Sequence, residues 1–199
     1  MDRFLFYLVL LLITVKYTTS TGTNTTSLEF VKISCNTTLY PSLCVESLSS
    51  YAVSIKDNDQ KLAKVALVIS LKAAKSMAAY VSTLIETSNI ESREYQALKD
   101  CDSSMASCVT SLTESLQEIR KMAQFTGQDF IWHMSNVQTW VSSALTNQDT
   151  CTDGFSDGSM NGQLKDDLSK KMNTVSQLTS NALALVNGFA KRHKEVTHT

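Results

Sequence analysis

Beyond residue 57 the chain is built of long stretches in which apolar residues recur every three or four positions, the period of a helix that buries one face. Val65, Ala66, Ile69, Ala73, Met77, Tyr80 and Leu84 mark the first stretch, and their spacing predicts a helix over about 58–87. The second, over about 91–125, repeats in sevens: Leu98, Met105, Leu112 and Ile119, interleaved with Cys101, Cys108, Ser115 and Met122. Such a repeat defines an inward seam. The third stretch, about 128–151, should bury Phe130, Met134, Val137, Val141, Ala144 and Cys151. The fourth, about 162–190, carries Leu168, Val175, Ala182 and Phe189, assisted by Leu164, Leu178 and Leu185. Gly127 and the polar run from Asp153 to Gly162 supply turns between them. The only proline is Pro41, so nothing interrupts these helices. The expected fold is all-α: an up-down-up-down four-helix bundle over 57–190, preceded by a compact helical hairpin over 28–50 and followed by a flexible polar tail over 191–199.

The N-terminus changes the picture of where the chain acts. Arg3, the apolar run Phe4 to Val15 and small polar residues around Thr18 to Gly22 have the three-part layout of a secretory signal peptide. That run is too short to span a bilayer, which takes about twenty apolar residues. Residues 1–20 are therefore expected to be removed, leaving a secreted, extracellular domain over 21–190 with no membrane attachment. Loss of Asp2, Arg3 and Lys16 moves the formal net charge from -1 to -2, too near neutral for a nucleic-acid partner. Asn24 and Asn36 each open an Asn-Thr-Thr glycosylation sequon. The 5 cysteines suggest two disulfides and one thiol left over. Cys35 and Cys44 suit a local staple across the N-terminal hairpin. Cys101 and Cys108 cannot pair along one helix, because seven residues separate them by roughly 10 Å.

Catalysis finds little support. Of the 3 histidines, His193 and His198 lie in the expected tail, and His133 near the start of the third helix reads as a surface or capping residue. No C-x-x-C pair, H-E-x-x-H helix, Gly-rich phosphate loop or G-x-S-x-G elbow occurs. Cys108 falls on the seam and reads as a core residue. The chain is expected to be no enzyme, and to hold neither cofactor nor metal.

Two motifs carry a resemblance. Cys35, Thr38, Tyr40, Pro41 and Cys44 are spaced C-x-x-T-x-Y-P-x-x-C, and the stretch Val137 to Phe155 ends an amphipathic helix on Cys151, followed by Asp153, Gly154 and Phe155. Together they resemble the plant inhibitor domain shared by pectin methylesterase inhibitors and invertase inhibitors. The resemblance implies a Cys101–Cys151 bridge, which leaves Cys108 as the free thiol. It also implies a non-covalent, one-to-one complex in which the outer faces of bundle helices two and three cover the polysaccharide cleft of a pectin methylesterase. Thr150 and Asp153 match the family's contacts on helix three. On helix two Asp100 and Cys101 are kept, while the positions where relatives often carry acids read Ser103, Ser107 and Thr110. These three lie opposite the Leu98/Met105/Leu112 seam and are the candidate contacts there.

Trp140, Ser143, Ala144, Leu145 and Thr146 look more like the pectin methylesterase inhibitor branch. The invertase branch commonly carries Pro-Lys-Phe just before helix three, where this chain reads Trp132, His133, Met134, Ser135 and Asn136. An inhibitor of cell-wall or vacuolar invertase is the alternative on the same fold. A secreted interaction protein that has lost inhibition, consistent with the hydroxyl residues on helix two, is the other. The expected setting is the apoplast and cell wall.

Overall fold

The computed structural model describes residues 25–87, 92–156 and 162–197. The expected leader over 1–20 and the sequon at Asn24 lie outside them, as does part of the turn after Asp153. Helix α1 spans 25–35 and α2 Pro41–Leu48, with Pro41 at the first helical turn, where its missing N–H costs no hydrogen bond. A single 3-10 turn, Ser49–Tyr51, leads to α3, Ala52–Ile55. Four long helices follow: α4 Asp59–Thr87, α5 Ser92–Ile119, α6 Gly127–Asp153 and α7 Gln163–Thr197. No strand occurs among the described residues. α5 contacts α4 and α6, and α7 contacts α6 and α4, so the four close a ring in chain order, an up-down-up-down bundle.

All eight positions of the α5 seam are buried, from Leu98 through Met122. Helix two is shorter than its heptad suggests, however: α5 stops at Ile119, and Met122 enters the core from a 3-10 turn, Met122–Gln124. On α4 the buried face is Leu62, Ala63, Ala66, Leu67, Ser70, Leu71, Ala74, Met77 and Val81. The expected stripe was centred too far round the helix: Val65, Ile69, Ala73, Tyr80 and Leu84 are only half-buried, packed on the margin of the core. The true face mixes leucine, methionine and valine with three alanines and a serine, and further apolar side chains line its flank. α4 is the one described helix long and apolar enough to cross a membrane by length and composition, and its buried face packs against α5 and α7.

The stapled hairpin is present, with Cys35 bonded to Cys44. It packs on α4 and α7. Its docking is polar as well as apolar. The backbone N–H of Tyr40 donates to Asn181 Oδ1 at 3.1 Å, and Asn181 Nδ2 donates back to the Tyr40 carbonyl at 2.9 Å. One buried side-chain amide thus bonds both backbone groups of Tyr40 and supplies the acceptor for its N–H; the carbonyl also accepts from the Cys44 N–H at 3.0 Å. Asn36 of the second sequon is exposed at the end of α1.

Helix four runs past its expected end at residue 190, and the tail from 191 is helical through Thr197. Arg192 explains the extension: its guanidinium forks onto the Asp59 carboxylate at the start of α4, with Nε 2.6 Å from Oδ2. His193 stacks on Phe130 with ring centroids 3.7 Å apart.

The α5–α6 turn depends on Gly127, whose φ of 55° lies in the left-handed region. A Cβ there meets nothing within 4 Å, so the penalty for Gly127→Ala is backbone strain alone, about 1 kcal/mol. For a chain of this size the thermal midpoint should fall by roughly 3 °C; an unchanged midpoint would show that the turn has an alternative conformation.

Candidate functional site

Helices α5 and α6 form the most extensive pair in the bundle, and they are pinned together at three levels. At one end Cys101 is bonded to Cys151. Near the middle, Gln148 Nε2 of α6 lies 3.3 Å from the Cys108 sulfur of α5 and donates to Thr179 Oγ1 of α7 at 2.9 Å. Thr179 in turn meets Ser70 of α4 at 2.6 Å. This buried layer takes one residue from each bundle helix. At the other end the Glu118 carboxylate is bonded to His133 Nδ1, and the imidazole stacks on Phe125 at 3.6 Å. From Cys101 to Glu118 these ties span about 25 Å of helix. His133, expected as a surface or capping residue, is instead a half-buried link between α5 and α6.

The pinned pair presents its outer face to solvent. Ser103, Ser107 and Thr110 are exposed on α5, and Thr150 and Asp153 are exposed on the last turn of α6. Because the helices are antiparallel and joined at Cys101–Cys151, Ser103 sits within a turn of the Thr150/Asp153 end, while Thr110 lies about 10 Å farther along. Ser107 precedes Glu118 by eleven residues, about three turns, so it leans to the flank of α5 that meets α6. Ser103, Ser107 and Thr110 therefore share the outer face of α5, and Thr150 and Asp153 stand on the last turn of α6 beside the disulfide end.

The hydroxyls share a bonding pattern. Ser107 donates to the Ser103 carbonyl at 3.1 Å, Thr110 to the Ala106 carbonyl at 3.0 Å and Thr150 to the Thr146 carbonyl at 2.9 Å. Ser104, Ser142 and Thr146 bond in the same way to the carbonyls of Asp100, Gln138 and Ser142. Each of these six hydroxyls spends its single proton on its own helix and leaves its lone pairs free to accept. The face is thus uncharged along much of its length but rich in acceptors. Ser104, Ser142 and Thr146 extend the expected set, and their three- and four-residue spacing was the available signal.

Acidic groups bracket the α5 hydroxyls on the same stripe, Asp100 three residues before Ser103 and Glu114 four after Thr110. Asp100 is exposed and accepts from Gln96 Nε2 at 3.0 Å. Asp102 accepts from Ser82 of α4 at 2.8 Å and belongs to the bundle. Glu114 is exposed one turn beyond Thr110. Cys108 is free and buried; burial pushes its thiol pKa up, with the Gln148 contact opposing, so it stays a protonated core group. No cluster of three or more metal-ligating side chains occurs among the described residues.

Comparison with known proteins agrees with this architecture. The model of the plant invertase/pectin methylesterase inhibitor family matches residues 29–185. The chain is 47% identical over 192 residues to pectinesterase inhibitor 9 of Arabidopsis thaliana, covering 94% of each protein. It is 40% identical to pectinesterase inhibitor 11 of the same plant, across 86% of this chain and 85% of that one. A 21 kDa protein of Daucus carota is also 40% identical, across 83% and 86%. Among solved structures, the mutant form A of a pectin methylesterase inhibitor from Arabidopsis superposes with a TM-score of 0.63 at 23% identity, over 80% of this chain and 95% of that one.

Proposed function

The chain belongs to the plant invertase/pectin methylesterase inhibitor family, and from that premise we propose that it is a secreted inhibitor of pectin methylesterase that covers the enzyme's substrate cleft with its α5–α6 face. Inhibition, not catalysis, is the activity of the family. The target is argued from the relatives named as pectinesterase inhibitors and from the absence of Pro-Lys-Phe at residues 132–136, which lie within α6.

The observation that carries the proposal is the acceptor-rich strip on a doubly clamped helix pair. A cleft that holds a polysaccharide is lined with groups that bond hydroxyls. A surface of outward hydroxyl lone pairs meets those donors without burying many charges. Rigidity adds to this, since side chains already held to their own helices lose little freedom on docking. Thr150 supplies a neutral contact, and Asp153 a charge-assisted one of about twice the strength. The complex is one-to-one and needs no cofactor; its setting is the apoplast and cell wall, reached through cleavage of residues 1–20.

The test is to secrete the protein from its full chain in a disulfide-competent host and titrate it into pectin methylesterase and invertase assays side by side. Inhibition of the esterase alone is expected. Thr150→Ala combined with Asp153→Ala should weaken it roughly thirty-fold, the equivalent of about 2 kcal/mol, with an unchanged melting temperature. Inhibition of invertase instead would transfer the same face to the other target, and inhibition of neither would overturn the proposal.

A further inference from the structure

Trp132 is an unusually exposed tryptophan, with 60% of its surface open to solvent, and its position on α6 is informative. It precedes Thr150 by 18 residues, five turns at about 3.6 residues per turn, so the two side chains leave the helix in the same direction about 27 Å apart. Thr139 and Thr146, both exposed, fall near the same line. The bonded neighbours fix which way that line faces. His133 marks the flank that meets Glu118 of α5, and Gln138, bonded to Asn187 at 2.8 Å, marks the flank that meets α7. Trp132 projects outward between these two flanks, at the far end of the same line as Thr150.

The indole is also held in place. It lies edge-on to the His133 imidazole, with centroids 4.7 Å apart and planes at 82°. His133 is itself fixed by its stack on Phe125 and its bond to Glu118. A large apolar group exposed to water yet packed against a ring that is itself fixed resembles a preorganised anchor more than a loose surface residue.

We infer that Trp132 is the apolar anchor of the enzyme-facing surface, seating against the wall of the pectin methylesterase cleft while the hydroxyl strip and Asp153 engage farther along. The assignment rests on the function proposed above and on the continuity of Trp132 with that face. It places the strongest single contact at the end opposite the disulfide. Tryptophan is enriched among residues whose truncation costs 2 kcal/mol or more at protein interfaces, whereas a neutral hydroxyl contact is worth about 1 kcal/mol.

The test uses the full secreted chain and the esterase that the wild type inhibits. Trp132→Ala should raise the inhibition constant by about thirty-fold or more, and Trp132→Phe should recover part of the loss. Neither should move the melting temperature by more than about 1 °C, because the side chain is mostly in solvent. Val68→Ser, which removes an exposed apolar side chain from α4, should leave inhibition unchanged. In protein labelled with 5-fluorotryptophan, the fluorine resonance assigned by the Trp132→Phe variant should shift on adding unlabelled enzyme. Wild-type inhibition with an unaffected Trp132→Ala variant overturns the anchor and leaves the proposed function standing. A wild type that inhibits no esterase overturns both. Loss of inhibition that tracks a change in oligomeric state on size exclusion would assign Trp132 to self-association and also overturn the anchor.

Discussion

Replacing Cys101 and Cys151 together with alanine lowers the folding stability by about 4 kcal/mol. The bridge joins residues separated by 50 positions, and in the chain-entropy account the stabilisation grows with the logarithm of the loop that the cross-link closes. The Cys35–Cys44 staple, with a separation of 9, closes a short loop, for which the same account gives about 2.5 kcal/mol. Alanine is the better replacement, because Cys101 and Cys151 are buried and two serine hydroxyls there would add a desolvation cost unrelated to the cross-link. Cys108 is buried among the bundle helices, so the variant should not reshuffle its one remaining free thiol. Urea unfolding of the two double-alanine variants provides the check. The long-loop variant should lose more stability and show a larger denaturant slope, since its unfolded chain exposes more surface. A greater loss for the short staple would contradict the loop-entropy account.

The sequence shows some parts of this molecule plainly and hides others for identifiable reasons. The α5 seam is legible because large apolar residues occupy one position in every seven, and all of them are buried. On α4 the same reasoning selects a stripe too far round the helix. Ala63, Ser70 and Ala74 lie on the real face beside Leu67, Leu71 and Val81, and such small or polar residues weigh little in any reading of hydrophobic period. Gln148 is overlooked on α6 for the same reason, although it is fully buried. The extension of α7 through Arg192 rests on a partner 133 positions away, which no local pattern can register. The candidate face is legible as the complement of the seam, so Ser103, Ser107 and Thr110 are exposed where the heptad puts them. The direction of their hydroxyl protons is not legible, because back-bonding depends on rotamer. Trp132 enters the sequence reading only as part of a segment lacking Pro-Lys-Phe, and its alignment with Thr150 becomes apparent once α6 is seen to run unbroken between them.

Thr179→Val alone destabilises the protein by about 2–5 kcal/mol, and more than the triple replacement Ser70→Ala, Gln148→Leu and Thr179→Val. Counting protons shows why. Thr179 donates to the Val175 carbonyl at 2.9 Å, so Ser70 must be the donor in their 2.6 Å contact, and Gln148 Nε2 donates to the same oxygen at 2.9 Å. One hydroxyl oxygen therefore accepts two buried protons. Valine has nearly the same shape as threonine but cannot accept either, which leaves two donors unsatisfied at about 1–3 kcal/mol each. The lower end of the range applies if Ser70 turns back to the carbonyl of its own helix. The triple variant removes every member of the set except Cys108, which packs as a small apolar group. It also removes Gln148 Oε1, a buried oxygen with no hydrogen-bond partner, and should be close to neutral in stability. Chemical denaturation of the single and triple variants measures the difference directly. The effects must fail to add, since the four residues touch in one network. A triple variant less stable than Thr179→Val would mean that the polar layer contributes net stability as a unit, whereas the expected order means that the core tolerates the layer only while every donor has its acceptor.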